Sequence, residues 1–100
     1  MNIEEEIIFA IQNKKSLIVN YKNEPENRII EPHMLGLKNG NKNLSAYQSQ
    51  GYSTSGEKTT WKYFHIKYIH IIQEEKNFNI RKGYNPKPNS KMFDKVIAQV

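Results

Sequence analysis

Residues 28–48 decide the fold: they read Arg28-Ile-Ile-Glu-Pro-His-Met-Leu-Gly-Leu-Lys38, then Asn39-Gly40, then Asn41-Lys-Asn-Leu-Ser-Ala-Tyr-Gln48. Apolar residues in both flanks are spaced for strands, and Asn-Gly between two such runs predicts a β-hairpin because both positions tolerate positive φ. Pro32 gives no N–H to a neighbouring strand, so we expect an edge or a bulge there. The hairpin also carries Arg28, His33, Tyr47 and Gln48, which suit a binding site.

The composition predicts one small domain. One hundred residues, 37% of them apolar, allow a single lean core in which aromatic residues are prominent. Cysteine is absent, which excludes disulfides, thiolate metal sites and a cysteine nucleophile, and fits a reducing compartment. No apolar run is long enough to span a membrane, and residues 1–6 are acidic where a signal peptide would be basic. We therefore expect a cytoplasmic protein with no membrane partner.

The net charge of +5 is unevenly distributed. Residues 1–56 hold six Lys/Arg and six Asp/Glu, whereas residues 57–100 hold nine and four. An excess confined to the C-terminal half favours an anionic partner. Scattered lysines that only keep the protein soluble are an equal alternative.

Helical periodicity is clearest at the N-terminus. Ile3, Ile7, Ala10 and Ile11 recur at helical spacing over residues 2–15, acidic residues fill the first turn, and Asn2 can cap it. At the other end, Phe93, Val96, Ile97 and Val100 have the spacing of a short closing helix capped by Ser90. A strand through residues 96–100 is nearly as good an interpretation, since β-branched residues are frequent there.

Alternation predicts the strands between these ends. Residues 16–21 form a first strand, residues 22–27 a turn, and residues 49–60 a long loop without aliphatic residues. Residues 61–72 are one bent strand or two, residues 73–77 a charged turn, residues 78–80 a short strand, and residues 81–88 an irregular basic segment. A helix followed by several short strands favours a small, bent antiparallel sheet, closed or nearly closed into a barrel.

Known catalytic and cofactor patterns are absent. The sequence has no phosphate-cradling glycine loop, no His-Glu-x-x-His and no nucleophile elbow, and it pairs no two carboxylates for acid–base chemistry. His65 and His70 differ by an odd number, so on one straight strand they face opposite sides, which disfavours a metal site. We therefore expect a non-enzymatic protein without cofactor or metal.

Cations and aromatic rings provide the positive signal. Arg and Lys donate to phosphates, and aromatic faces stack on bases, so their combination suits a nucleotide or single-stranded nucleic acid. Core packing is an equal alternative for the aromatic residues, and an ion pair with Glu26 or Glu31 for Arg28. Arg81 has no acidic neighbour in the sequence and is the strongest candidate. The candidate ligand-binding residues, which we expect to converge on a single concave surface, are Arg28, His33, Tyr47, Gln48, Trp61, Lys62, Arg81 and Tyr84.

The order of several short motifs resembles the WYL domain. These motifs are Leu17-Ile-Val-Asn-Tyr21, Arg28-Ile-Ile-Glu-Pro32, the hairpin, Asn43-Leu-Ser-Ala-Tyr47 and Lys62-Tyr-Phe64, within residues 3–81. The triplet that names the family is represented by Lys42-Asn43-Leu44, and a second late-strand arginine by Tyr68.

The resemblance implies a mainly β fold with a flanking helix: an Sm-like or SH3-like antiparallel barrel preceded by an N-terminal α-helix. It implies one WYL-like domain over residues 1–100, with a helix at 2–15, barrel strands at 16–81 and an extension at 82–100. By position, Arg28 and Lys62 would be the family's ligand residues. It further implies a ligand-sensing module for a nucleotide or single-stranded nucleic acid in bacterial transcription or defence regulation. The alternative is a protein-interaction module, a homodimer or a subunit bound to a partner regulator.

Overall fold

The computed structural model describes residues 1–53, 56, 59–87 and 92–100, in which one α-helix accompanies an antiparallel sheet. The helix α1 (Ile3–Gln12) comes first, and a 3-10 turn (Ile66–Tyr68) separates the fourth and fifth strands. The strands are β1 (Lys15–Tyr21), β2 (Arg28–Lys38), β3 (Asn41–Gly51), β4 (Thr60–His65), β5 (Ile69–Asn77) and β6 (Lys95–Gln99). The mainly β class with an N-terminal helix is confirmed.

The predicted hairpin is the centre of the sheet. β2 and β3 pair from Arg28 opposite Gly51 to Lys38 opposite Asn41. The connecting residues both have positive φ, 51° at Asn39 and 79° at Gly40, as a tight Asn-Gly turn requires. The strand order β4-β3-β2-β1-β5 places this hairpin in the middle, with β6 added alongside β2.

Pro32 lies where β2 exchanges one neighbour for another. β1 pairs with β2 only from Arg28 to Ile30, and β6 pairs with it only from Met34 to Leu37. The register to β3 also shifts between Pro32 and Met34. The proline therefore occupies a bulge, as predicted, and His33 is the extra residue.

Helix α1 is fixed by its first turn and by one apolar stripe. The Asn2 side chain accepts from the Glu5 backbone N–H at 2.9 Å, and Glu5 accepts from the Asn2 backbone N–H at 3.1 Å, which completes a capping box. The helix ends at Gln12, three residues before its predicted end. Its buried residues Ile7, Ala10 and Ile11 pack against one face of the sheet, which we call the inner face. The core residues on that face are Leu17, Val19, Ile30, Leu35, Leu44, Ala46 and Phe64.

Several predicted elements in the C-terminal half are wrong. Residues 73–77 continue β5 and do not form a turn, and residues 78–80 contain no strand. The closing helix is also wrong: β6 is a strand, the other interpretation of that stretch, and Ser90 lies outside the described residues. This closing stretch is a strand because β1 pairs with only the first half of β2, and β6 provides the ladder hydrogen bonds of the second half. Residues 61–72 form two strand segments, with the 3-10 turn between them.

The described strands form an open sheet. β4 pairs only with β3, and β5 only with β1, among the strand pairs of residues 1–53, 59–87 and 92–100. In that same part of the chain no helix is long and apolar enough to cross a membrane. The loop predicted at 49–60 is shorter than expected, since β3 extends to Gly51 and β4 begins at Thr60; residues 54, 55, 57 and 58 lie outside the description.

Candidate functional site

The predicted site residues separate onto two faces of the sheet. Side chains alternate along a strand, and directly paired residues share a face. Ala46 is opposite Lys62 and Tyr47 is opposite Trp61, so these two pairs face opposite sides. The inner face holds Arg28, Gln48 and Lys62, and the outer face holds His33, Tyr47, Trp61, Arg81 and Tyr84.

Arg28 is a buried structural cation. Arg28 is 5% exposed, and its Nε and Nη2 donate to the Glu24 carboxylate at 2.9–3.0 Å. Its Nη1 donates to Gln48 Oε1 at 3.0 Å, and the guanidinium lies against the rings of Tyr21, Tyr52 and Phe64. The predicted ion pair therefore exists, but with Glu24 in place of Glu26 or Glu31. The contacts around Arg28 hold it within the fold.

Gln48 and Lys62 belong to the same inner group. Gln48 is fully buried, and its Nε2 donates to the Tyr52 carbonyl at 2.8 Å. Lys62 Nζ donates to Ser53 Oγ at 3.0 Å. Gln48 therefore connects β3, and Lys62 connects β4, to the segment that follows the hairpin.

His33 is the buried centre of the outer group. It is 0% exposed, and its ring centroid is 4.8 Å from that of Trp61, 5.0 Å from Phe78 and 5.3 Å from Tyr84. The Arg81 backbone N–H donates to Nε2 at 3.1 Å, so Nδ1, which lies 2.7 Å from the Glu31 carbonyl oxygen, carries the proton. Burial lowers the pKa of His33 from its ordinary 6.5, against the opposing effect of the Glu31 carbonyl and carboxylate. The neutral imidazole fastens the C-terminal segment to β2.

Arg81 pairs with a carboxylate from a distant strand. Its Nε and Nη2 donate to the Glu31 carboxylate at 2.6 and 3.0 Å, and its guanidinium carbon lies 4.4 Å from the centroid of Tyr47. The expectation that Arg81 lacks an acidic neighbour is therefore wrong, because Glu31 comes from β2. The hydrogen bonds that Arg81 donates to the Glu31 carboxylate raise the pKa of Arg81. The Arg81 side chain is nevertheless 43% exposed, whereas that of Glu31 is 5% exposed.

Trp61 and Tyr84 extend the outer group into an aromatic cluster. Their rings are near parallel, with an interplanar angle of 23° and centroids 6.3 Å apart, and Tyr47 meets Trp61 edge-on at 5.7 Å. The Tyr84 hydroxyl is buried without a hydrogen-bond partner among the described residues. Burial raises the pKa of Tyr84, so the phenol stays protonated.

A groove of about 480 Å³ opens beside Arg81. We call it the basic groove; it is lined by Glu31, Ser49, Lys76, Asn77, Phe78, Asn79, Ile80, Arg81 and Lys82. Lys76, Arg81 and Lys82 are exposed, and Glu31 provides the opposing charge. Three cations and one carboxylate leave the lining with a net charge of +2.

Comparison with known proteins finds no matching family model, no similar curated protein and no similar solved structure. Within residues 1–53, 59–87 and 92–100, no three His, Asp or Glu side chains lie together in a way that could hold a metal ion.

Sequence reasoning missed Glu31, Lys76 and Lys82 as parts of the site. Glu31 follows Ile30 on an alternating strand, so its assignment to the outer face was available from the pattern. Its pairing with Arg81, fifty residues further along the chain, depends on the course of the C-terminal segment. The sequence pattern predicts a turn at residues 73–77, whereas Lys76 lies on β5 and lines the groove.

Proposed function

We propose that this protein is a non-enzymatic binding module for single-stranded nucleic acid or a nucleotide, and that phosphates bind in the basic groove. The observation that supports this most is the fixed guanidinium of Arg81, which lies on the Tyr47 ring while 43% of its side chain remains exposed. Glu31 holds it from the buried side. An ordered, exposed guanidinium beside two lysines is suited to phosphate oxygens.

Of the eight predicted site residues, the proposal retains only residues on the outer face. Arg81 remains a phosphate donor, Lys76 and Lys82 join it, and Tyr47 packs against the Arg81 guanidinium. Arg28 and Gln48 are part of the scaffold, because both are buried and bonded to each other. We keep the WYL-like family and an Sm-like or SH3-like barrel as part of this proposal, together with a role in bacterial regulation.

The first test is the salt dependence of oligonucleotide binding. Fluorescence anisotropy with a labelled single strand should give an affinity that falls linearly with salt on a log–log plot, by about 0.7 in slope for each neutralised phosphate. The double variant Lys76→Ala/Lys82→Ala should weaken binding of all sequences alike and reduce the slope by about 1.4. The control Lys67→Ala/Lys95→Ala removes the same charge from residues outside the groove.

Equal losses in the two double variants would reject the groove as the site, because only the net charge would then matter. No binding by the unmodified protein at low salt would reject the function.

A second candidate function is protein interaction through a different surface. Met1, Phe9 and Ile72 are 80%, 42% and 48% exposed and line a groove of about 360 Å³ between α1 and β5. Clustered exposed apolar side chains are typical of interaction surfaces. Light scattering after size exclusion would favour this function if it shows a stable dimer that Phe9→Ser disrupts and that binds no oligonucleotide.

A further inference from the structure

The groove between α1 and β5, which we call the α1–β5 groove, has an apolar lining. Its apolar lining residues are Met1, Phe9, Leu17, Ile71 and Ile72. Leu17 is buried in the core and forms part of the floor, whereas Met1, Phe9 and Ile72 are exposed. Exposed apolar side chains that share one concave surface are typical of a docking site for another molecule.

The polar lining of the same groove is acidic. Glu6 lies on the helix side and Glu74 on the strand side, and the lining includes no Lys or Arg, although the whole chain holds 15 Lys/Arg and 10 Asp/Glu. In the described part of the chain neither of these carboxylates has an ion-pair partner, whereas Glu24 and Glu31 are each held by an arginine. The lining side chains therefore carry a net negative charge, the opposite of the basic groove.

This charge argues against a second copy of the chain as the occupant. In a two-fold dimer each surface patch meets itself. Glu6 and Glu74 would then face the same two carboxylates, with no lysine or arginine of the groove between them. Like charges brought together oppose association, so the charge favours a partner that supplies its own cations.

The exposed edge of β5 beside the groove is poorly suited to an extended partner. Among the described strands β5 pairs with β1 alone, but its register to β1 shifts between Lys15 and Leu17 and again between Ile18 and Val19. Bulges of this kind make a strand edge a poor template for a further strand. The groove itself is therefore the better site, and a helix suits it better than an added strand.

The length of the groove matches about two turns of a helix. From Met1 to Phe9 the chain advances by eight residues, about 12 Å at the helical rise per residue. Apolar anchors at positions i, i+4 and i+7 of a docked helix span about 10 Å. Because Glu6 and Glu74 come from opposite walls, such a helix would meet a carboxylate on each side of its apolar stripe.

We propose that the α1–β5 groove binds a basic amphipathic α-helix of a partner protein. The apolar stripe of that helix packs on Phe9 and Ile72, and Lys or Arg on its two flanks pair with Glu6 and Glu74. The inference rests on the second candidate function, to which it adds the partner, and it is independent of nucleic-acid binding. The two grooves are lined by different residues, so the two ligands do not compete for side chains.

Anisotropy titration with a labelled model peptide tests this inference. The probe is a peptide of about 15 residues with leucine at positions i, i+3, i+4 and i+7 and lysine elsewhere, and its control has glutamate in place of lysine. We expect saturable binding of the lysine peptide and at least tenfold weaker binding of the glutamate peptide. A free peptide of this length is only partly helical in water, so binding should also increase the helical circular dichroism signal.

Variants of the two walls locate the site. Glu6→Gln/Glu74→Gln should weaken binding of the lysine peptide about three- to tenfold, the amount expected for two exposed ion pairs. Phe9→Ser should weaken it about tenfold or more, because it removes an apolar wall. The control Glu26→Gln/Asp94→Asn removes the same charge from residues outside the groove and should change binding less than twofold.

Three results would overturn the inference: no saturable binding of the lysine peptide, binding without a gain of helix, or equal losses in the two double variants. A stable dimer that Phe9→Ser disrupts would also overturn it, because the groove would then hold a second copy, but the second candidate function would stand. Neither peptide binding nor a dimer would reject both.

Discussion

Arg28→Met tests whether Arg28 belongs to the scaffold or to a ligand site. The substitution keeps an unbranched apolar stem and removes the guanidinium. The side chains of Arg28 and Glu24 are 6% and 11% exposed, so the variant leaves a carboxylate buried without its cation. Removing one partner of a buried ion pair costs about 3–5 kcal/mol. The fully buried Gln48 Oε1 also loses its donor, so we expect the free energy of unfolding to fall by about that amount or slightly more.

Urea unfolding followed by circular dichroism measures this change. A domain of this size has a total stability of about 5–15 kcal/mol, so the loss is a large share of it. The corresponding decrease in thermal midpoint is about 12 °C or more, since 1 kcal/mol shifts a small domain by about 4–8 °C.

The double variant Glu24→Met/Arg28→Met is the matched control. It removes both charges, and we expect most of the lost stability to return, because an apolar replacement of a buried ion pair is often neutral. Gln48 Oε1 lacks its Arg28 donor in both variants, so the difference in stability between them reports the cost of the unpaired Glu24 carboxylate. A stable Arg28→Met variant with weaker oligonucleotide binding would refute the scaffold role and restore Arg28 to the site.

Two further predictions concern the outer face and β6. The pKa of His33 in the folded protein is lowered from 6.5, so below about pH 6.5 the unfolded chain binds a proton at this residue before the folded protein does. The free energy of unfolding therefore has its full value above about pH 6.5 and falls as the pH decreases from there towards the folded-state pKa. Urea midpoints across this range should lose that decrease in His33→Gln and keep it in His70→Gln; the same decrease in both variants would contradict the role of His33. Gly36→Ala would place a Cβ 2.5 Å from Phe93 Cδ1 and 2.6 Å from the Lys95 carbonyl oxygen, so we expect a loss of about 1–3 kcal/mol and faster hydrogen exchange in β6. Equal protection of β6 in Gly36→Ala and in the unmodified protein would refute the close approach.

The elements predicted correctly are those whose signals are local. The Asn2 cap of α1 and the Asn39-Gly40 turn each depend on a few neighbouring residues, and both occur as predicted. The apolar spacing of β6 suits a helix as well as a strand, so both interpretations of this stretch stay open at the level of sequence. What selected the strand is the unpaired second half of β2, which no local pattern in residues 95–99 reveals.

The face on which each strand residue of the candidate site lies could be predicted from the sequence, whereas its long-range contacts could not. Tyr47 and Gln48 are consecutive in one strand, and Trp61 and Lys62 in another, so strand alternation already required each pair to divide between two faces. The assignment of all eight residues to one surface overlooked this requirement. The Glu31–Arg81 pair and the contact of His33 with the Arg81 backbone were beyond sequence reasoning, because both depend on a long-range return of the chain.

The division of β2 between two neighbours has a consequence for synthesis on the ribosome. β1 and β3 can dock on β2 while the chain is still growing, but β6 is made more than fifty residues after the β2 residues it pairs with. Until then, Met34–Leu37 present an open strand edge, and such edges recruit other chains. Nascent chains arrested before residue 95 should therefore associate with holdase chaperones, and release should coincide with emergence of β6.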